Sequence, residues 1–159
     1  MKIDFTKYES EFESAMINNP YRQCGMFDSE IFAVFSYFRE LNCDLFVESG
    51  ICEGYSTNSF LKLLNVEYHG VDIRNVPCFE VLSKEFSNFT SYHGDSFKIL
   101  PTIIEKNPDR NVFVMIDGPK EGHATDLKNK LLKRFPQIRA AAIHDMVVPC
   151  TDTTFCSVT

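Results

Sequence analysis

The sequence predicts an α/β fold: a doubly wound parallel sheet of about five strands with helices on both faces. Two observations carry that expectation. From residue 44 onward, short apolar runs rich in Val, Ile and Phe alternate with helical stretches. Each run also closes on an acidic residue, in turn Glu48, Asp72, Asp95, Asp117 and Asp145, at intervals that suit one strand–helix unit. Strands that alternate with helices pair in parallel, because the helix carries the chain back across the sheet.

The opening segment, 1–42, reads as helical and as packing on the core. Phe5, Tyr8, Phe12 and Met16 follow helical spacing, and a second helix spans 28–41 with Ile31, Phe32, Phe35 and Phe38 on one face. Asn19, Pro20 and Gly25 separate the two. Residues 43–159 form the sheet-bearing part of what is one domain in all. Its strands are LFVE at 45–48, YHGVDI at 68–73, FTSYHGD at 89–95, VFVMID at 112–117 and AAAIHD at 140–145. Helices fall at 56–65, 78–87, 97–106 and 122–135. Right-handed crossovers bring all the carboxyl-terminal strand ends to one edge, where ligands bind in such Rossmann-like sheets. A role as helix caps accounts for one or two acidic strand ends. Five in register point to the rim of a site.

Composition narrows the ligand. With 159 residues and a net charge of −6, the chain is one acidic domain, and nucleic acid is not an expected partner. Its basic cluster, Lys128, Lys130, Lys133 and Arg134, reads as a solvated helix face. The six cysteines contain no C-x-x-C pair, and no closely spaced Cys/His set suggests zinc. Free thiols in a reducing compartment are expected. MKIDFTKYES lacks the apolar stretch of a signal peptide, and no run approaches the ~18 apolar residues that cross a membrane. A cytoplasmic location follows as the expectation. His69, His93 and His123 are scattered and read as surface or turn residues, and Phe32, Phe35 and Phe38 as core.

The most informative segment is VESGICEGYSTNSF, 47–60, a strand, a glycine-bearing turn and a helix. Gly50 and Gly54 permit tight turning and close approach of a ligand. A dinucleotide fingerprint, G-x-G-x-x-G, requires glycines where Cys52 and Tyr55 stand. Glu48 and Glu53 also surround the turn with negative charge, which opposes a pyrophosphate. No G-K-[ST] follows, so the turn is not a P-loop. The charge sign suits a cationic ligand.

Glu48-Ser49-Gly50-Ile51-Cys52-Glu53-Gly54-Tyr55-Ser56 resembles the E-x-G-x-x-x-G-Y-S motif of class I S-adenosylmethionine (SAM)-dependent methyltransferases, within them the small-molecule O-methyltransferases of the catechol and caffeoyl-CoA type. The resemblance continues through the Asp72 strand end, Gly94-Asp95-Ser96 and Ile116-Asp117-Gly118-Pro119-Lys120, and covers roughly 44–149. It implies that SAM is the cofactor and a small molecule the methyl acceptor. Gly50 and Gly54 would line the methionine part, with Glu48 nearby and Ser56 at the helix start. Asp72 would accept hydrogen bonds from the ribose hydroxyls, Asp95 and Ser96 would meet the adenine edge, and Asp117 would sit beside the transferred methyl.

For a hydroxyl acceptor the protein must also remove a proton. Lys120 stands at the spacing from Asp117 that the metal-dependent members use for their base. His144, at the fifth strand end, is the other candidate, because its unperturbed pKa lies near neutrality. Those members hold a divalent cation with the Asp matching Asp117 and an Asp-Asn pair on the fifth strand. Here the pair is Asp145-Met146, and a thioether is a poor ligand for hard Mg²⁺. Asp117 and Asp145 remain as two carboxylates that could hold a cation. Residues 147–159 are too few for the helix and the final β-hairpin that complete a methyltransferase sheet. The hairpin is expected to be missing, leaving the fifth strand an open edge that could pair with a second copy as a homodimer. Two other readings stay open: a non-catalytic or truncated SAM-binding module or assembly subunit, and an NAD-dependent oxidoreductase, which the loop chemistry disfavours.

Overall fold

The computed structural model describes residues 3–17, 26–120 and 122–144. A 3-10 turn, Phe5–Tyr8, leads into α1 (Glu9–Met16), followed by α2 (Asp28–Glu40), β1 (Leu45–Ser49), α3 (Tyr55–Leu63), β2 (Glu67–Asp72) and α4 (Cys78–Glu85). The remainder is β3 (Phe89–His93), α5 (Ser96–Glu105), β4 (Val112–Ile116), α6 (Gly122–Arg134) and β5 (Ile138–Ile143). All five strands are parallel, in the order β3-β2-β1-β4-β5. The chain therefore winds outward from β1 to β3 and returns to β4 on the other side of β1. That reversal is the topological switch point of a Rossmann-like sheet.

Helices cover both faces, and the residue pattern shows why. In α2, Ile31, Val34, Phe35 and Phe38 recur at helical spacing and are buried. β1 and β4 are buried at every position, as central strands of a two-sided sheet must be. On the face of α1 to α4, Phe46 stacks on Tyr68 and Phe113 with ring centroids 4.8 and 5.3 Å apart. Phe12, Phe35, Phe38, Phe60 and Phe79 complete that core, and Phe32 packs against its edge. On the other face, Leu100 and Ile104 of α5 and Leu127 and Leu131 of α6 pack on Val47, Val71 and Val114. Among the described residues the phenylalanines thus serve mainly one side of the sheet.

The elements match their expected positions within a few residues, with two instructive differences. β3 stops at His93, so Asp95 belongs to the next helix as its N-cap, its Oδ1 accepting from the Phe97 amide at 2.9 Å. β5 starts at Ile138, earlier than expected, where its pairing with β4 shifts register between Val112 and Phe113. His69 corrects the sequence reading more sharply. It is buried on β2, because β2 is an interior strand and α5 covers the face on which it stands. His93 and His123 are exposed.

Lys130, Lys133 and Arg134 of α6 are exposed, with Arg134 paired to Glu105 at 2.9 Å. Cys43, Cys52 and Cys78 are free thiols, while Cys24, Cys150 and Cys156 lie outside the described residues. So do Asn19, Pro20, Gly25 and the 145–159 segment, and with it the expectation of a missing hairpin. Among the described residues no helix is long and apolar enough to cross a membrane.

Candidate functional site

The site starts from a turn that only glycine can make. Gly50 has φ +88°, a left-handed conformation, and a Cβ there would meet the Gly118 nitrogen at 2.5 Å and the Asp117 carbonyl carbon at 2.7 Å. The ends of β1 and β4 therefore touch backbone to backbone at the switch point. Asp117 and Gly118 both donate their amides to the Ser49 carbonyl, at 2.7 and 2.9 Å, and Gly50 donates to Val71 at 2.8 Å. The Ser49 hydroxyl donates to the Gly118 carbonyl and meets Ser96 Oγ at 2.6 Å, so it joins the ends of β1 and β4 to the start of α5. Gly54, also left-handed at φ +80°, caps α3 and lies against Cys78 and Leu82 of α4.

Asp72 holds the same turn from the β2 side. Its Oδ2 accepts from the amides of Ile51 and Cys52 at 3.0 and 2.9 Å, and its Oδ1 from the Arg74 amide at 2.8 Å. Burial alone would raise its pKa, but the amides of Cys52, Arg74 and Ile51 outweigh that and hold it below the ordinary carboxylate value. The negative charge is thus built into the loop.

Around these strand ends lies a cavity of about 410 Å³, within the size range of small-molecule and cofactor sites. The structure brings Gly50, Asp72, Asp95, Ser96, Asp117 and Lys120 together in its lining. Cys52, Ile73, Arg74, Phe97, Gly118 and Pro119 complete the wall. Three carboxylates thus face two cations, Arg74 and Lys120.

Other expected site residues fall elsewhere. Glu48 is fully buried and does not line the cavity, because α3 folds back over it. Its carboxylate accepts from Ser56 Oγ at 3.1 Å, Thr57 Oγ1 at 2.6 Å and Tyr68 Oη at 2.6 Å. Burial pushes its pKa up to about 7, against the three hydroxyls, which favour the charged form. Glu48 and Ser56 therefore brace α3 and β2 against β1 and stand outside the cavity lining. Gly54 acts on the cavity only through the turn it shapes.

His144 also stands outside the lining, behind Asp117. Its Nδ1 is 3.0 Å from Asp117 Oδ1, and its Nε2 is 3.4 Å from Glu30 Oε2 on the first turn of α2. Lys120 donates to the same Asp117 oxygen from the cavity side. The structure thus separates the two candidate bases: Lys120 faces the cavity, and His144 supports Asp117 from within. Asp145 lies outside the described residues. Among the described residues no three His, Cys, Asp or Glu side chains converge in a way that could hold a metal ion.

Sequence reasoning missed Glu30 and Arg74. Glu30 accepts from the Phe27 amide at 2.7 Å, which its position in the first helical turn could have suggested. Nothing in the sequence marks its approach to His144. Arg74 follows Asp72 by two residues, and only the fold turns it into the cavity.

The fold and this arrangement define a Rossmann-like α/β domain with a small-molecule cavity at its switch point, lined mainly by acidic and loop residues. Compared with protein-family models and with curated proteins, the chain matches none.

Proposed function

We propose that this chain is a SAM-dependent methyltransferase that acts on a small-molecule acceptor, with oxygen as the methylated atom. The single observation that supports it most is the convergence of Asp72, Asp95 and Asp117 on one cavity beside the Gly50 turn. A cofactor carrying a sulfonium and an ammonium suits such a wall, whose three carboxylates outnumber its two cations, better than a pyrophosphate does. The residues fit the group in other respects. The cavity is large enough, the Gly50 bend brings backbone close to it, and Asp72 keeps one Oδ1 lone pair beyond the three that its amides use, with the Arg74 guanidinium 3.5 Å from that oxygen.

When bound, the cofactor supplies an activated methyl group. The chain's own residues then have three tasks. Asp72 and Asp95 orient the ribose and adenine ends. Asp117, fixed between Lys120 and His144, holds the wall at the acceptor end. Lys120 is the base for the acceptor hydroxyl, because it faces the cavity and His144 does not; it takes that proton once its ammonium, paired with Asp117, has released its own.

Titration calorimetry with SAM and S-adenosylhomocysteine tests the cofactor, and transfer of labelled methyl to a panel of phenols and carboxylic acids tests the reaction. Binding of both ligands with transfer to at least one acceptor is expected. Binding without transfer favours a non-catalytic SAM module, and quenching of bound NADH without SAM binding favours an oxidoreductase.

A further inference from the structure

A second cavity, of about 590 Å³, opens between α5 and the β2–β3 edge of the sheet, and it shares no lining residue with the first. We propose that it is a separate binding site for a small anionic ligand with an apolar body, its charge met by Lys98 and Lys106. The floor is the buried His69 of β2 and Tyr92 of the edge strand β3.

The hydrogen bonds of the floor fix its character. His69 Nε2 lies 2.8 Å from Glu67 Oε1, and Nδ1 lies 3.1 Å from Tyr92 Oη. A carboxylate only accepts, so Nε2 carries the ring proton and Tyr92 donates its own to Nδ1. The other Glu67 oxygen accepts from Arg110 Nη1 at 3.0 Å. Each Glu67 oxygen is thus held by one partner, and Arg110, which also pairs with Asp44 at 3.1 Å, offsets part of its charge. Burial holds the His69 ring below its ordinary pKa, which keeps it neutral.

The wall supplies the opposite charge. Lys98 and Lys106 stand two turns apart on one ridge of α5, about 12 Å along the axis. Among the described residues neither has a carboxylate partner within salt-bridge reach. Ile99 and Ile103, between them on the helix, line the same cavity and offer apolar surface beside the Tyr92 ring. On a chain of net charge −6, two exposed ammonium groups without carboxylate partners beside an open groove suit an oxyanion with a ring or short chain attached.

Amide chemical-shift titrations of the full chain provide the test, with phenyl phosphate, benzoate, inorganic phosphate and uncharged benzyl alcohol as probes. Phenyl phosphate or benzoate is expected to give saturable amide shifts confined to 67–69, 92, 98–100 and 102–107, with a dissociation constant on the order of 1 mM. Whichever of the two binds more tightly identifies the oxyanion as a phosphate monoester or a carboxylate. Inorganic phosphate should bind more weakly, and benzyl alcohol should not saturate. The double variant Lys98→Gln/Lys106→Gln should weaken the best probe by about tenfold, a loss of about 1.4 kcal/mol. Its affinity for S-adenosylhomocysteine should not change, which keeps the two sites distinguishable. Non-saturating shifts, equal shifts with benzyl alcohol, or unaltered binding by the double variant overturn the proposal.

Discussion

Gly50 and Gly118 meet backbone to backbone, with the Gly118 nitrogen 2.5 Å from where a Gly50 Cβ would stand. No side chain can yield to relieve that contact, since the opposing atoms are main chain of Asp117 and Gly118, just past the end of β4. Gly50→Ala is therefore expected to lose about 2 kcal/mol or more, from left-handed strain and from displacement of the β4 end. Urea denaturation measures the loss, and calorimetry should show S-adenosylhomocysteine binding reduced by a larger factor than for surface Gly122→Ala. Equal stability of Gly50→Ala and the parent chain would show that the turn is not constrained in this way.

Glu48 gives stability an unusual pH dependence. Its folded pKa, about 7, lies above the ordinary carboxylate value of 4.5, so the native state binds the proton more tightly than the unfolded chain. Its contribution is fully present below about pH 4.5 and is lost as pH rises through about 7, a range worth about 3 kcal/mol. Glu48→Gln keeps the shape and cannot ionise. Between pH 5 and 8 the difference in unfolding free energy between variant and parent should change steadily in favour of the variant. A constant difference over that interval would mean that Glu48 stays charged throughout.

Asp72 acts in the opposite direction. Its depressed pKa contributes stability above the unfolded value near 3.8, and that contribution disappears as pH falls through the lower folded value. Asp72→Asn places an amide group where the Ile51, Cys52 and Arg74 amides donate. It should cost about 2 kcal/mol and abolish nucleoside binding, while Asp72→Glu loses binding with less effect on folding. Retained binding by Asp72→Asn would remove Asp72 from the ribose role.

Lys120 and His144 touch the same carboxylate from opposite sides and should fail differently. With a competent acceptor, Lys120→Met should lower kcat by about 100-fold or more with cofactor affinity unchanged. His144→Asn should lower it by about tenfold, through a misplaced Asp117. Single-turnover methyl transfer separates the two, and equal losses would contradict the assignment of Lys120 alone as the base.

Much of the fold was legible because its signals are local. Alternating apolar runs and helical spacing placed five strands and the helices between them, and Asp72, Asp95 and Asp117 converge on a single cavity. Glu48 was misread for a physical reason. A strand-end acid faces the rim or the interior depending on what covers it, and here the covering atoms are Ser56, Thr57 and Tyr68. Their hydroxyls were visible in the sequence, but their convergence was not. Glu30 reaches His144 from another helix, and His69 lies under α5. Both depend on tertiary packing, which leaves no periodic trace.

The Ser49 hydroxyl, shared between Ser96 and Gly118, ties three separate stretches of chain together behind the cavity lining. A guest arriving there finds the loops already in place and need not freeze them. Little of its interaction energy is then lost to conformational ordering, so even a modest number of polar contacts can yield useful residence on the protein.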